Sequence, residues 1–265
     1  MEPKVTPSKV DEQGESKLIV ANNQLKNVKS HYIIKKFFGY ISKRKYLEAI
    51  RYNKSIQKRI DININHYKAY SEEYSVPVKG KNGKFIDIEK EDKKYFHIYF
   101  NDNKKQEIEN TSLYKDDIVS KITIIIDYQI KSFSRLFYAC WIIESIKFKK
   151  FYRNNVNDMS RMFYKCSSLK ELNLNNFNAD NVTDMRSMFE RCTSLKELNL
   201  SYFNTNNVTN MSCMLSKCSL LKELNLSNFN TNNVKDMSCM LYGCSDELKN
   251  KIKEQIKNKF MDIIK

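Results

Sequence analysis

The chain has 265 residues, 41% of them hydrophobic, enough for a core, which excludes wholesale disorder. Its formal net charge of +15 fits an anionic partner (nucleic acid, membrane surface or acidic protein), or a coding bias toward Lys, Asn and Ile whose lysines only solvate the surface. No apolar run reaches the ~18 residues of a membrane span. Seven cysteines, an odd number with no oxidising address, read as reduced thiols.

Residues 1–27 are polar, hold two of the three prolines and are predicted to be a disordered tail. The opening "MEPKVTPSKVDEQGESK" lacks the apolar stretch of a signal peptide. A cytoplasmic address is therefore expected, with the nucleus as the alternative and the cell surface disfavoured.

Residues 28–71 are predicted to be a basic three-helix module. Ile33, Ile34, Phe37, Phe38 and Ile41 follow helical spacing. Ser42 can cap a second helix carrying Leu47 and Ile50, and Ser55 a third carrying Ile56 and Ile60. From Lys29 to Arg59, ten Lys or Arg stand against one acid, Glu48.

Residues 72–128 change to period two and are predicted to be a small β region. "VPVKGKNGKFIDIE" reads as a hairpin turning at Asn82-Gly83. "KYFHIYF" reads as a strand with Phe96, Ile98 and Phe100 on one face, and "SKITIIID" as another. Val119, Ile122 and Ile124 fit one extra rung of the pattern that follows.

Residues 129–245 repeat every 26 positions. Val156, Val182, Val208 and Val234 keep that step, as do Cys140, Cys166, Cys192, Cys218 and Cys244, and Leu136, Met162, Met188, Met214 and Met240. Leu169, Leu172, Leu174 and Phe177 return as Leu195, Leu198, Leu200 and Phe203, then as Leu221, Leu224, Leu226 and Phe229. The divergent stretch 130–155 places Ile143, Ile146, Phe148 and Phe151 in those slots. A fixed period with L-x-x-L-x-L is the mark of a leucine-rich solenoid: one unit cannot bury its apolar side alone, and stacking gives each leucine a like neighbour. The predicted class is α/β, a leucine-rich repeat solenoid preceded by the small helical module and the short β region.

Within L-x-x-L-x-L the leucines face inward and the intervening residues form columns on the concave sheet face. These columns are Ser145, Glu171, Glu197, Glu223; then Lys147, Asn173, Asn199, Asn225; then Lys149, Asn175, Ser201, Ser227. They read either as a solvated face or as an acidic, amide-rich strip for a basic peptide, with a basic end at Lys147, Lys149 and Lys150. Stacked glutamates repel, so a cation is expected beside them, from Lys170, Lys196 and Lys222 or from outside. Tyr202 interrupts its column between Asn176 and Asn228 and is a candidate contact anchor.

The cysteine column is predicted to be core, since zinc needs tight local pairs. Cys213 and Cys239 fall in the slot of Arg161 and Ser187 and are predicted to be more exposed. The Asn-rich "NNV" segments are expected to satisfy backbone groups in a loop ladder, and Trp141 to pack on the N-terminal module. Residues 246–265 place Leu248, Ile252, Ile256 and Phe260 four apart, which predicts a capping helix. His31, His66 and His97 lie in different modules without a nucleophile beside them, and no nucleotide-binding or hydrolase motif is present. No enzyme activity, catalytic residue, metal or cofactor is expected.

The units at 168–192, 194–218 and 220–244 resemble the BspA-like leucine-rich repeat family, whose text reads "SLKELNLSNFNTNNV.DMS.MF..C". The likeness covers about 130–244, departing where Leu215 and Leu241 stand in place of the aromatic kept at Phe163 and Phe189. It implies a right-handed coil of parallel strand, loop and short convex-side helix, and surface, adhesion or protein-interaction roles without catalysis. Residues 31–60 resemble an F-box: Ile34, Phe37, Phe38, Ile41, Leu47 and Ile50 fall at its apolar positions, while the Leu-Pro opening and the tryptophan are missing. That implies docking to an acidic Skp1-like adaptor, as a substrate receptor of a ubiquitin ligase; a plain helical cap explains the same stripe. The expected function is non-catalytic protein–protein interaction with an unidentified protein partner. Nucleic acid is not expected, because the module's aromatics lie on its apolar stripe.

Overall fold

A computed structural model describes residues 72–77, 82–127, 130–150, 156–174, 177 and 179–255. The chain divides between Tyr70 and Ser71 into two units, and every described residue belongs to the second. The predicted tail 1–27 and module 28–71 lie outside the described residues.

The β-rich text after residue 71 gives β1 (Glu72–Pro77), β2 (Gly83–Lys84), β3 (Phe96–Phe100), β4 (Ser112–Leu113) and β5 (Lys121–Ile126). The E-L-N text of the repeats gives β7 (Glu171–Asn173), β8 (Glu197–Asn199) and β9 (Glu223–Asn225), and its divergent first copy gives β6 (Ser145–Lys150). One sheet has the order β3-β5-β1-β6-β7, and a second joins β8 to β9. Ile122, Thr123, Ile124 and Ile126 in β5 are all fully buried, as befits a strand with antiparallel neighbours on both sides.

Two readings of this region are corrected. Asn82-Gly83 is not a hairpin turn: β1 pairs with β5 and β6, and β2 pairs with β4. Gly83 answers a different need, since a Cβ there would lie 2.7 Å from Ile142 and 2.8 Å from the indole of Trp141. Nor do Val119, Ile122 and Ile124 make an extra rung. β1 occupies the edge of β6, antiparallel, with Ser75 opposite Lys147, so β5 is held one strand further out. The first parallel rung is thus closed by an antiparallel strand, and its edge is not left open to further pairing.

The repeats meet on two walls, through strand pairs β6–β7 and β8–β9 on one and through a bridge at every step on the other. On the strand wall, Ser145 lies opposite Glu171 and Glu197 opposite Glu223, both pairs parallel. On the opposite wall, single residues pair in parallel, Ser132 with Asp158, Asp158 with Asp184, Asp184 with Asn210 and Asn210 with Asp236. Both registers advance by the sequence period, which is what lets two walls stay aligned over successive layers.

Between the second wall and the following strand, the described chain makes turns at 134–139, 160–165, 186–191, 212–217 and 238–243, where the family likeness implies short helices. The turns alternate their donors. Arg161, Phe163 and Lys165 give their N–H groups to Arg186, Met188 and Glu190 of the next rung at 2.8–2.9 Å, while Met162, Tyr164 and Cys166 close bonds three residues back. A helix would spend all these donors internally. Here left-handed residues, Arg161 at φ 54° and Lys165 at φ 58° with equivalents in every turn, swing alternate N–H groups along the stack. In the last turn a glycine, Gly243 at φ 73°, fills that position.

The core lies between the walls. Phe137, Phe163 and Phe189 stack with centroids 5.5 Å apart and planes within 5°, and the buried Leu215 and Leu241 continue the column. Four of the five ladder cysteines donate the thiol backward to the preceding rung: Cys166 to the Phe137 carbonyl at 3.0 Å, Cys192 to Phe163 at 3.1 Å, Cys218 to Phe189 at 3.0 Å, Cys244 to Leu215 at 3.2 Å. Burial pushes the Cys166 thiol up to about 12, so these groups stay protonated and inert. After the last turn, α1 (Asp246–Gln255) buries Leu248 and Ile252. Asp246 and Glu247 stand in its first turn, where carboxylates favour the helix dipole.

Candidate functional site

The strand wall presents the columns read from the sequence. Glu171, Glu197 and Glu223 are exposed, as are Asn173, Asn199 and Asn225, while Leu198 and Leu224 between them are buried and Leu172 is half-buried. This is the alternation of a half-buried strand. Lys147 is exposed in β6. Lys149 and Lys150 belong to β6 by their backbone, and their side chains lie outside the described residues.

The glutamates differ in their company. Lys251 of α1 reaches the Glu223 carboxylate at 3.0 Å and Glu247 at 3.2 Å. Those two bonds, the one to Glu223 first, hold the Lys251 ammonium above its ordinary pKa. Lys170 does not turn to Glu171; its ammonium pairs with Glu144 at 3.0 Å. Lys196 and Lys222 meet through their backbones, with the Lys222 N–H on the Lys196 carbonyl at 2.8 Å. Among the described residues, Glu171 and Glu197 have no ion-pair partner, so two exposed carboxylates on successive rungs are left without a counter-charge.

The asparagine column has a local duty. The Oδ1 atoms of Asn199 and Asn225 accept the N–H groups of Ser201 and Ser227, both at 3.0 Å, and so fix the turn after each strand. Tyr202 sits in the turn after β8 with more than half of its surface exposed (57%). The Asn228 side chain donates to the carbonyl of its neighbour Ser201. Of the strip read from the sequence, Glu171, Glu197 and Tyr202 are exposed, and among the described residues neither glutamate holds an ion pair. Ile34, Phe37, Phe38, Ile41, Leu47 and Ile50 of the docking module lie outside the described residues.

Two further arrays are structural. The "NNV" asparagines make the expected loop ladder, with Asn207 donating to the Asp180 carbonyl and Asn233 to the Asn206 carbonyl, both at 2.6 Å. Sequence reasoning missed the second array. Asp158, Asp184, Asn210 and Asp236 each accept the N–H two residues on, at 2.8–2.9 Å, the Asx turn that these side chains favour. The Ser238 N–H holds the Asp236 carboxyl below its ordinary pKa. The signal was present as Asp or Asn before Met at 158, 184, 210 and 236.

His97 was set aside in the sequence and turns out to be buried in β3. Its Nδ1 lies 2.9 Å from Glu107 Oε1, and its Nε2 lies 3.4 Å from Oδ1 of the buried Asp127. The Asp127 carboxylate raises the imidazole pKa above 6.5, Glu107 adds to that, and burial works against both. Trp141 lies over Gly83 and is half-exposed; the N-terminal module on which it is expected to pack lies outside the described residues. Among the described residues no set of three His, Cys, Asp or Glu is placed to hold a metal ion, and no helix is long and apolar enough to cross a membrane.

Residues 131–255 match a family described as "Mycoplasma protein of unknown function, DUF285", a stretch that runs from the first bridge through α1. Comparison with curated proteins and with solved structures gives no match.

Proposed function

We propose that this chain is a non-catalytic protein-binding scaffold whose strand wall receives a basic segment of a partner protein. The observation that carries this reading is the pair Glu171 and Glu197, exposed on successive rungs and without a counter-ion among the described residues, while Glu144 and Glu223 on either side each hold a lysine. Glu197 lies directly opposite Glu223 across β8 and β9, and like charges so placed repel. A lysine or arginine from outside relieves that repulsion at the middle rungs as Lys251 does at the last. Tyr202, exposed in the turn after β8, supplies an aromatic contact of the kind that anchors interfaces.

The overall charge of +15 disfavours a basic partner at long range, so the strip acts at contact distance, within a Debye length of about 8 Å. Its contribution is selection and retention of the partner rather than a fast encounter.

The test is a titration of a lysine- and arginine-rich peptide into the full chain and into the Glu171→Lys/Glu197→Lys variant. The reading requires salt-sensitive binding by the native chain and at least a ~10-fold loss in the variant, about 1.4 kcal/mol, with an unchanged melting temperature. Equal affinity in the two proteins would refute it.

A further inference from the structure

We infer that Cys213 and Cys239 form a modification site, a cross-rung dithiol that a small disulfide oxidises to an intramolecular disulfide. The five ladder cysteines are all buried, and each donates its thiol to a carbonyl. Cys213 is half-buried and Cys239 exposed, so these two thiols are the ones solvent reaches.

The stack sets them face to face. The Cys213 N–H bonds the Ser238 carbonyl at 2.8 Å and the Leu215 N–H bonds the Met240 carbonyl at 3.0 Å, which puts Cys213 opposite Cys239 in the next rung. Both residues are left-handed, at φ 53° and 56°, so their side chains leave the backbone in the same sense. Adjacent rungs lie ~4.8 Å apart, within the Cα separation of roughly 4.4–6.8 Å that a disulfide spans. The fold itself asks for no cysteine here, since Arg135, Arg161 and Ser187 hold the same left-handed position in earlier turns.

The chemistry needs only a disulfide of the glutathione class. Cys239 gives up its proton to solvent, and its thiolate attacks one sulfur of the oxidant. The oxidant's S–S bond breaks, the departing thiolate takes a proton, and a mixed disulfide remains on Cys239. Cys213 then loses its proton and attacks the Cys239 sulfur, which expels the second small thiol. The net change is one protein disulfide formed, one small disulfide reduced to two thiols and two protein thiol hydrogens lost. Burial, with the Glu190 and Asp236 carboxylates nearby, holds the Cys213 proton more tightly than usual. Resolution is therefore the slow step, and it quickens as pH rises.

The experiment treats the native full chain with oxidised glutathione at pH 7 and pH 9, alkylates the remaining thiols and maps the peptides by mass spectrometry without reduction. The expected product is a Cys213–Cys239 cross-link within one chain, two hydrogens lighter, formed faster at pH 9, with both solvent-reachable thiols lost together. Cys213→Ser should stop at a stable glutathione adduct on Cys239. A persistent adduct on Cys239 of the native chain at pH 9, a link between two chains, or no modification of Cys239 would each overturn the inference.

Discussion

The two walls of the repeat stack are built from the same 26-residue text and follow different rules. On the turn wall the repeated polar groups have partners set by the backbone: an Asx acceptor in each of the last four rungs, a left-handed residue at each change of direction, a thiol on the previous rung's carbonyl from Cys166 onward. Its bridges run unbroken from Ser132 to Asp236. On the strand wall the ladders join β6 to β7 and β8 to β9, while β7 and β8 belong to different sheets. There the outward residues satisfy the fold only in part. Repetition on the turn wall is therefore explained by geometry, and the exposed glutamates of the strand wall are not. A repeated residue for which the backbone has no use is the better candidate for binding.

This contrast predicts very unequal costs of substitution. Phe163, fully buried in the aromatic stack, should cost about 3–5 kcal/mol as Phe163→Ala, read by urea unfolding of the full chain. A cost below about 1 kcal/mol would mean that the stack repacks freely. Asp184→Ala loses the acceptor for the Arg186 N–H at 2.9 Å and should cost about 1 kcal/mol, measured the same way. No loss would show that the Asx array follows the turn rather than fixing it.

His97 gives the β region a pH dependence of its own. Its pKa is raised above 6.5 in the folded chain, chiefly by Asp127. The stabilisation is therefore fully present below pH 6.5 and disappears as pH rises through the folded value. Melting temperature should fall across that window, and His97→Gln should flatten the slope. A native profile that rises through the same window would contradict the assignment. Smallest of all is Glu197→Ala, expected within about 0.5 kcal/mol of neutral, because the exposed carboxylate holds no partner in the described structure.

The sequence showed the period, the buried columns, the thiol ladder's core role and the outward glutamates, since each follows from regular spacing. It did not show that Lys170 turns to Glu144, because neighbours in text need not be neighbours across rungs. The hairpin at Asn82-Gly83 failed because tertiary pairing overrode a local turn signal: β1 closes the first rung, and Gly83 makes room for Trp141. The convex-side helices failed because a helix keeps its donors, whereas this stack uses every second one between rungs. His97 was invisible because its partners Glu107 and Asp127 are 10 and 30 positions away, a separation that no local pattern reports.

The central claim is that the strand wall binds and the turn wall holds the stack together. Hydrogen–deuterium exchange of the full chain, with and without a saturating lysine- and arginine-rich peptide, tests it directly. New protection should appear at 171–173 and 197–203, leaving the turns at 160–165 and 186–191 unchanged. Protection confined to those turns or to the β region would contradict it.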